Sequence, residues 1–266
     1  MAGKEMGLIG LIFPQIANPF YSELIQNIET RLFQQGFKTI LCNSFNDAEK
    51  ENTYLDMLRA NQVDGIITGS HNANLEHYRQ TQLPIVAFDR YLGHHIPTVS
   101  SDNFTGGQLI GTQIIRLKAQ RVVGFFSDVQ DIAPTKDRIL GLRDALKPAS
   151  ISPTIVNLPF NVTNQTQLAI IERTLIEHQP DAIVASDDLL ALIIKHNFSD
   201  YLTTHSTALF GFDGTSLIQA IAPELMTVVQ PIPDIADLLI NLLIDKIKQT
   251  HRFENKQYVL PVTLRV

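Results

Sequence analysis

The chain has 266 residues, 44% hydrophobic and 18% charged, a balance that suits a globular protein of either one large domain or two lobes of ordinary size. A net charge of -6 argues against a nonspecific nucleic-acid surface, which needs clustered Lys and Arg, and the lone Cys42 leaves neither a disulfide nor a cysteine zinc site. No run approaches the ~20 apolar residues of a membrane helix, and MAGKEMGLIG lacks the apolar core of a secretory signal, so a cytoplasmic protein is expected. In chain order, Leu8 to Phe13 reads as a strand buried on both faces. Asn18 and Pro19 then supply an N-cap and a first-turn proline, and apolar residues from Leu24 to Phe33 recur at helical spacing. Gly36 is placed to stop that helix before Phe37 to Cys42 run extended, with Cys42 as a small buried hydrophobe.

The alternation continues, with strands at 63–68, 84–88 and 97–101 and helices at 47–60 and 74–82. A second series follows: helix 103–117, strand 121–127, helix 135–147, strand 154–158, helix 164–177, strand 181–185 and a helix from Asp187. It closes with strand 208–212, helix 215–221, strand 227–230, helix 232–250 and strand 257–264. Strands alternating with helices imply doubly wound parallel sheets, here in two similar halves joined through extended chain near Ser101 to Asn103. Such sheets bind ligands at the C-terminal ends of their strands. The polar residues that directly follow strands are Asp89, Ser186, Asp187, Asp213 and Gln230. Carboxylates accept charge-assisted hydrogen bonds from paired hydroxyls, Arg138 offers a planar fork to ring and hydroxyl oxygens, and Phe20 and Tyr21 can cover an apolar ring face. Six of these have a structural alternative. Asp187 can cap the helix DLLALIIKH, Asp89 can pair with Arg90, Asp213 with Gly214 can be a turn, Arg138 can form a surface ion pair, Phe20 can be core, and Gln230 can be a polar hinge residue.

The motifs IGLIFPxxxNPFYxELIxxIE, QGFKTILCN, VDGII, PIVAFDR, SSDNFTGG, DRILGLRDAL, DAIVASDDLLAL, ALFGFDG and LPVTLRV, in that order, resemble the effector-binding core of the lactose-repressor (LacI/GalR) family of transcription regulators. The resemblance implies an α/β fold of two doubly wound parallel-sheet lobes joined by a three-stranded hinge, periplasmic-binding-protein-like, type I. It implies a first lobe of 7–101 plus 231–254 and a second of 102–230 plus 255–266. It assigns effector contacts to Phe20, Tyr21, Asp89, Arg138, Ser186, Asp187, Asp213 and Gln230, with Ser70 in a contact loop whose residues vary. Ser186 stands where many relatives carry Asn. The implied function is the effector-sensing and dimerisation core of a repressor-type regulator that takes a small sugar in the cleft between lobes. Its partners are then a second copy and operator DNA, reached through an N-terminal helix-turn-helix head missing from the chain, with Lys4 to Gly7 as the tail of its linker. The expected dimer surface is the outward face of helices 19–35 and 47–60. A free sugar-binding protein serving a transporter is the alternative.

An enzyme is not expected. GxxxxGK[ST], a strand-linked GxGxxG and GxSxG are all missing, so neither a phosphate cradle nor a positioned nucleophile is encoded. No cofactor is implied, and His94-His95 has no carboxylate at metal-ligand spacing, so no metal is expected.

Overall fold

The computed structural model describes residues 6–69, 76–93, 95–127, 133–159, 162–249 and 257–266. Its first series is β1 (Leu8–Phe13), α1 (Pro19–Gln34), β2 (Lys38–Asn43), α2 (Ala48–Ala60), β3 (Gly65–Thr68), α3 (Glu76–Gln80), β4 (Ile85–Phe88) and β5 (Thr98–Ser101). The second comprises α4 (Asn103–Arg116), β6 (Val122–Phe126), α5 (Ala133–Leu146), β7 (Thr154–Asn157), α6 (Asn164–His178), β8 (Ala182–Ala185), α7 (Asp188–Asn197), α8 (Ser199–Thr204), β9 (Ala208–Asp213), α9 (Ser216–Ile221) and β10 (Met226–Val229). Then come α10 (Ile232–Lys248), β11 (Gln257–Leu260) and β12 (Thr263–Arg265). The strands form two six-stranded sheets, ordered β11-β5-β4-β3-β1-β2 and β12-β10-β9-β8-β6-β7. Two compact units contain them: 1–101 with 231–260, and 102–230 with 261–266.

Local chemistry sets the first βαβ unit. The Asn18 side chain accepts a hydrogen bond from the Phe20 N–H at 2.9 Å, and Pro19 opens α1 where a missing N–H costs nothing. Gly36, at φ +88°, ends it: its N–H bonds the Phe33 carbonyl and Phe37 bonds back to Leu32, a left-handed stop that a residue without Cβ adopts freely. Both faces of the sheet are covered. Ile9, Leu11 and Phe13 pack with α1 and α10, whereas Ile12 and Cys42 pack with Leu55 and Leu58 of α2. That period-2 split is why β1 is apolar throughout. Burial among these side chains pushes the Cys42 thiol up to about 11, so it is a protonated hydrophobe at neutral pH, as its neighbourhood in the sequence suggests. In the second unit Val122 and Phe126 face α4 and α5, while Val123 and Phe125 face the cluster of Ile171, Leu175 and Ile194.

Two expectations need correction. The single final strand at 257–264 is two strands: β11 runs parallel to β5 in the first sheet, and β12 runs antiparallel to β10 in the second. The break falls at Pro261, which has no N–H to give a ladder. Residues 257–260 accordingly belong to the first unit rather than the second, and the second sheet is mixed rather than purely parallel. The helix DLLALIIKH after Asp187 is present, ending at Asn197, and a six-residue helix that was not expected, α8, follows it. One and a half turns are too few to carry a periodic apolar signal. Among the described residues no helix is long and apolar enough to cross a membrane.

Candidate functional site

Parallel order brings the C-terminal ends of β8, β9 and β10 side by side, and with them Ser186, Asp187, Asp213 and Gln230. Arg138 reaches the same edge because α4 and α5 cross at glycines. A Cβ on Gly107 would lie 2.1 Å from the Arg138 carbonyl oxygen, and one on Gly141 would lie 1.9 Å from that of Phe104. With backbones this close, the Arg138 Nε donates to Asn103 Oδ1 at 2.8 Å and its Nη1 to the Ser186 carbonyl at 2.7 Å. The guanidinium carbon sits 3.6 Å from the centre of the Phe212 ring, a cation–π contact that fixes the plane of the fork. Among the described residues two of its five N–H groups are used in this way, and the others remain as donors. The surface ion pair that Arg138 could have made is not what holds it.

Asp213 ends β9 with φ +123°, a backbone angle unusual for a residue with a side chain, and is 7% exposed. Its Oδ1 accepts from Gln230 Nε2 at 2.7 Å, while the Gln230 N–H donates to the Asp213 carbonyl at 3.0 Å. Gln230 is therefore the brace of Asp213. Burial pushes this carboxyl well above the usual carboxylate range; Arg138 opposes that push, and Asp188 and Asp187 add to it. Asp187 caps α7, its Oδ1 taking the Leu190 N–H at 2.8 Å, and its Oδ2 accepts the Ser186 hydroxyl at 3.0 Å. Capping is thus realised, and the half-buried carboxylate keeps further lone pairs.

In the first unit, Phe20 is 4% exposed and packs on Phe88 with ring centres 5.6 Å apart, so it belongs to the core. Tyr21 is half-buried, edge-on to Phe20 at 5.4 Å and tilted against Phe13 at 5.9 Å. Asp89 follows β4 in the left-handed region at φ +63°, its N–H bonded to the Val99 carbonyl at 2.8 Å. Ser70 and His94 lie outside the described residues. No group of three or more metal-ligating side chains occurs among those described.

Sequence reasoning missed Asn103, Phe212 and Asp188. Asn103 stands in SSDNFTGG, but only the glycine crossing brings it to Arg138. Asp188 is 1% exposed and accepts from the Gly214 N–H at 2.7 Å and from the Thr227 hydroxyl. It lies so close over β9 that a Cβ on Gly211 would be 2.2 Å from its Oδ1. The doublet of acids opening α7, opposite the glycine of FGFD, is the signal that could have found it. Burial raises its pKa from 3.8 to about 6, against the pull of Thr227, Gly214 and Arg265 and with a push from Asp187. Between roughly pH 4 and 6 the native chain therefore holds a proton that the unfolded chain has lost. This group's stabilisation is complete below about pH 4 and is lost as pH rises through about 6. Asp188→Asn keeps the shape without the charge. Its melting temperature relative to the parent chain is expected to be higher at pH 7.5 than at pH 5, and a difference that does not change with pH would contradict the assignment.

A family model described as periplasmic binding proteins and sugar binding domain of LacI family matches residues 6–199. A sucrose operon repressor of Pediococcus pentosaceus is 42% identical over 266 residues, covering 99% of this chain and 82% of that protein. A ribose operon repressor of Halalkalibacterium halodurans is 31% identical, covering 94% and 77%. The crystal structure of a periplasmic binding protein/LacI transcriptional regulator from Alkaliphilus metalliredigens complexed with D-xylulofuranose superposes with a TM-score of 0.84 at 25% identity, over 98% of this chain and 97% of that one. With two six-stranded α/β sheets and operon repressors as its relatives, the chain belongs to the family of periplasmic binding proteins and LacI-type sugar-binding domains, as the effector-binding core of a transcription regulator and not as an enzyme.

Proposed function

We propose that the chain senses a small neutral sugar through the side chains gathered at the strand ends of each unit, and that it does so as a repressor of genes for that sugar's use. The observation that carries this reading is the Arg138 fork, clamped by Asn103, the Ser186 carbonyl and the Phe212 ring beside the buried acid Asp213. A fixed donor next to a fixed acceptor suits vicinal hydroxyls, each of which gives one hydrogen and takes one. Asp213 and Asp187 are the proposed acceptors, Arg138 the donor, Ser186 a hydroxyl contact and Gln230 the residue that aims Asp213. In the first unit Asp89 is the proposed acceptor and Tyr21 the platform for a ring face, with Phe20 backing Tyr21 from the core. The names of the sucrose and ribose operon repressors support the sugar class. They also disfavour a free transport protein.

We further propose operator DNA as the output partner and the cytoplasm as the place of action; at net charge -6 these residues are not themselves the phosphate-neutralising surface. Dimerisation is proposed through the face of α1 and α2, where Phe33 is 67% and Met57 36% exposed. Light scattering on the eluted peak of a gel-filtration run should give twice the 29.7 kDa chain mass, and a monomer at micromolar concentration would remove this part.

The sensing role is tested by a thermal-shift screen of sucrose, ribose, fructose, xylose and cellobiose. A ligand at 100 times its dissociation constant adds ~2.7 kcal/mol, which for a chain of this size is a rise of several degrees. At least one sugar should produce it. A flat response across mono- and disaccharides would reject the proposal.

A further inference from the structure

The first unit contains a cavity of about 370 Å³, at the lower end of the ~300–1,000 Å³ common for ligand pockets, with α3, β4 and the last turns of α10 around it. Leu83, Ile85 and Ile96 form its apolar wall, and Thr81 and Gln82 stand on its rim. Tyr78 contributes its ring, because its hydroxyl is bound to Glu51 and to Thr68 Oγ1 at 2.9 Å. Among the described residues the lining includes one Lys or Arg and no Asp or Glu: the cation is Lys246. Its Nζ donates to the His95 carbonyl at 2.7 Å and makes no ion pair with a described carboxylate. Burial pulls its pKa down. An ammonium that is partly withdrawn from water, has donors to spare and faces an apolar wall is suited to an anion.

We propose that this cavity binds a small organic monocarboxylate, its charged end on Lys246 and its apolar body against Leu83, Ile85, Ile96 and the Tyr78 ring. A single cation balances one negative charge. A dianion would leave a second charge uncompensated in a chain of net charge -6, with the buried Glu51 just beyond Tyr78. The wall of three aliphatic side chains also separates this class from a free inorganic ion, which would gain nothing from it.

Calorimetric titration of the whole chain with benzoate, its neutral counterpart benzamide, and inorganic phosphate tests the proposal. Benzoate should bind saturably at one site, more tightly than either of the others, and excess sucrose or ribose should leave that binding intact. Lys246→Met should weaken benzoate by about tenfold or more, the loss of one charge-assisted contact, while the weak benzamide signal stays as it was. Should that variant fail to fold, Thr81→Trp, which fills the rim, should abolish benzoate binding by itself. The proposal is overturned if benzoate does not saturate, if benzamide or phosphate binds as well, if a sugar displaces benzoate, or if the folded variants bind it normally.

Discussion

Replacing Arg138 by alanine is expected to weaken sugar binding by about a hundredfold or more, within the ~2–5 kcal/mol that truncating a hydrogen-bonded charge costs at a desolvated contact. Two losses combine. The fork itself disappears, and with it the pull that Arg138 exerts on Asp213. Burial, Asp188 and Asp187 already push that carboxyl up, so removing the cation leaves the push toward the protonated form, which accepts hydrogen bonds less well, unopposed by Arg138. Arg138→Lys keeps a charge but cannot reach Asn103 and the Ser186 carbonyl as a planar fork while lying on Phe212, so an intermediate loss is expected. Calorimetry with whichever sugar stabilises the parent chain measures both variants. Affinity within threefold of the parent in Arg138→Ala would show that the fork is structural only.

Gly141→Ala should have the largest effect on stability, because the new methyl would sit 1.9 Å from the Phe104 carbonyl oxygen, a backbone atom that cannot rotate away. Relief requires α4 and α5 to separate, since Gly107 on the facing helix makes a comparably close approach, 2.1 Å to the Arg138 carbonyl oxygen, and Gly111 a looser one, 2.7 Å to the Ala145 Cβ. Overpacking usually costs ~1–3 kcal/mol where side chains can yield, so a cost at or above the top of that range is expected here. For a chain of this size that is a fall of roughly 6–12 °C in melting temperature. Because the same crossing carries Arg138 to Asn103, sugar affinity should fall as well. Gly36→Ala is the contrast: nothing lies within 4 Å of its Cβ position, so only the left-handed backbone at φ +88° is penalised, about 1 kcal/mol. A melting temperature for Gly141→Ala within 2 °C of the parent would mean that the helices do not pack as described.

What could be read from the residues was whatever one segment specifies by itself. The continuous apolar runs gave both sheets, and Asn18-Pro19, Gly36 and Asp187 marked helix ends that the structure reproduces. Candidates that follow strands were legible because parallel topology puts strand ends on one edge. What escaped was set by contacts between distant segments. Asn103 meets Arg138 only through the glycine crossing, and Phe212 becomes its platform only because β9 passes beneath it. Asp188, beside the singled-out Asp187, went unremarked, yet it turns inward to Gly214 and Thr227 while Asp187 stays at the helix mouth. Phe20 was ambiguous between core and ligand face, and its burial against Phe88 resolves its packing. Pro261 was overlooked inside an apolar run, although its missing N–H was reason enough to divide the last strand.

The central claim is that a sugar is held by a guanidinium and a buried acid at the strand ends of the second unit. A co-crystal structure with the stabilising sugar tests it most directly. Hydroxyl oxygens should lie about 2.7–3.2 Å from the outer nitrogens of Arg138 and from the Asp213 carboxylate. A sugar bound elsewhere, with both of those groups left to solvent, would contradict the account.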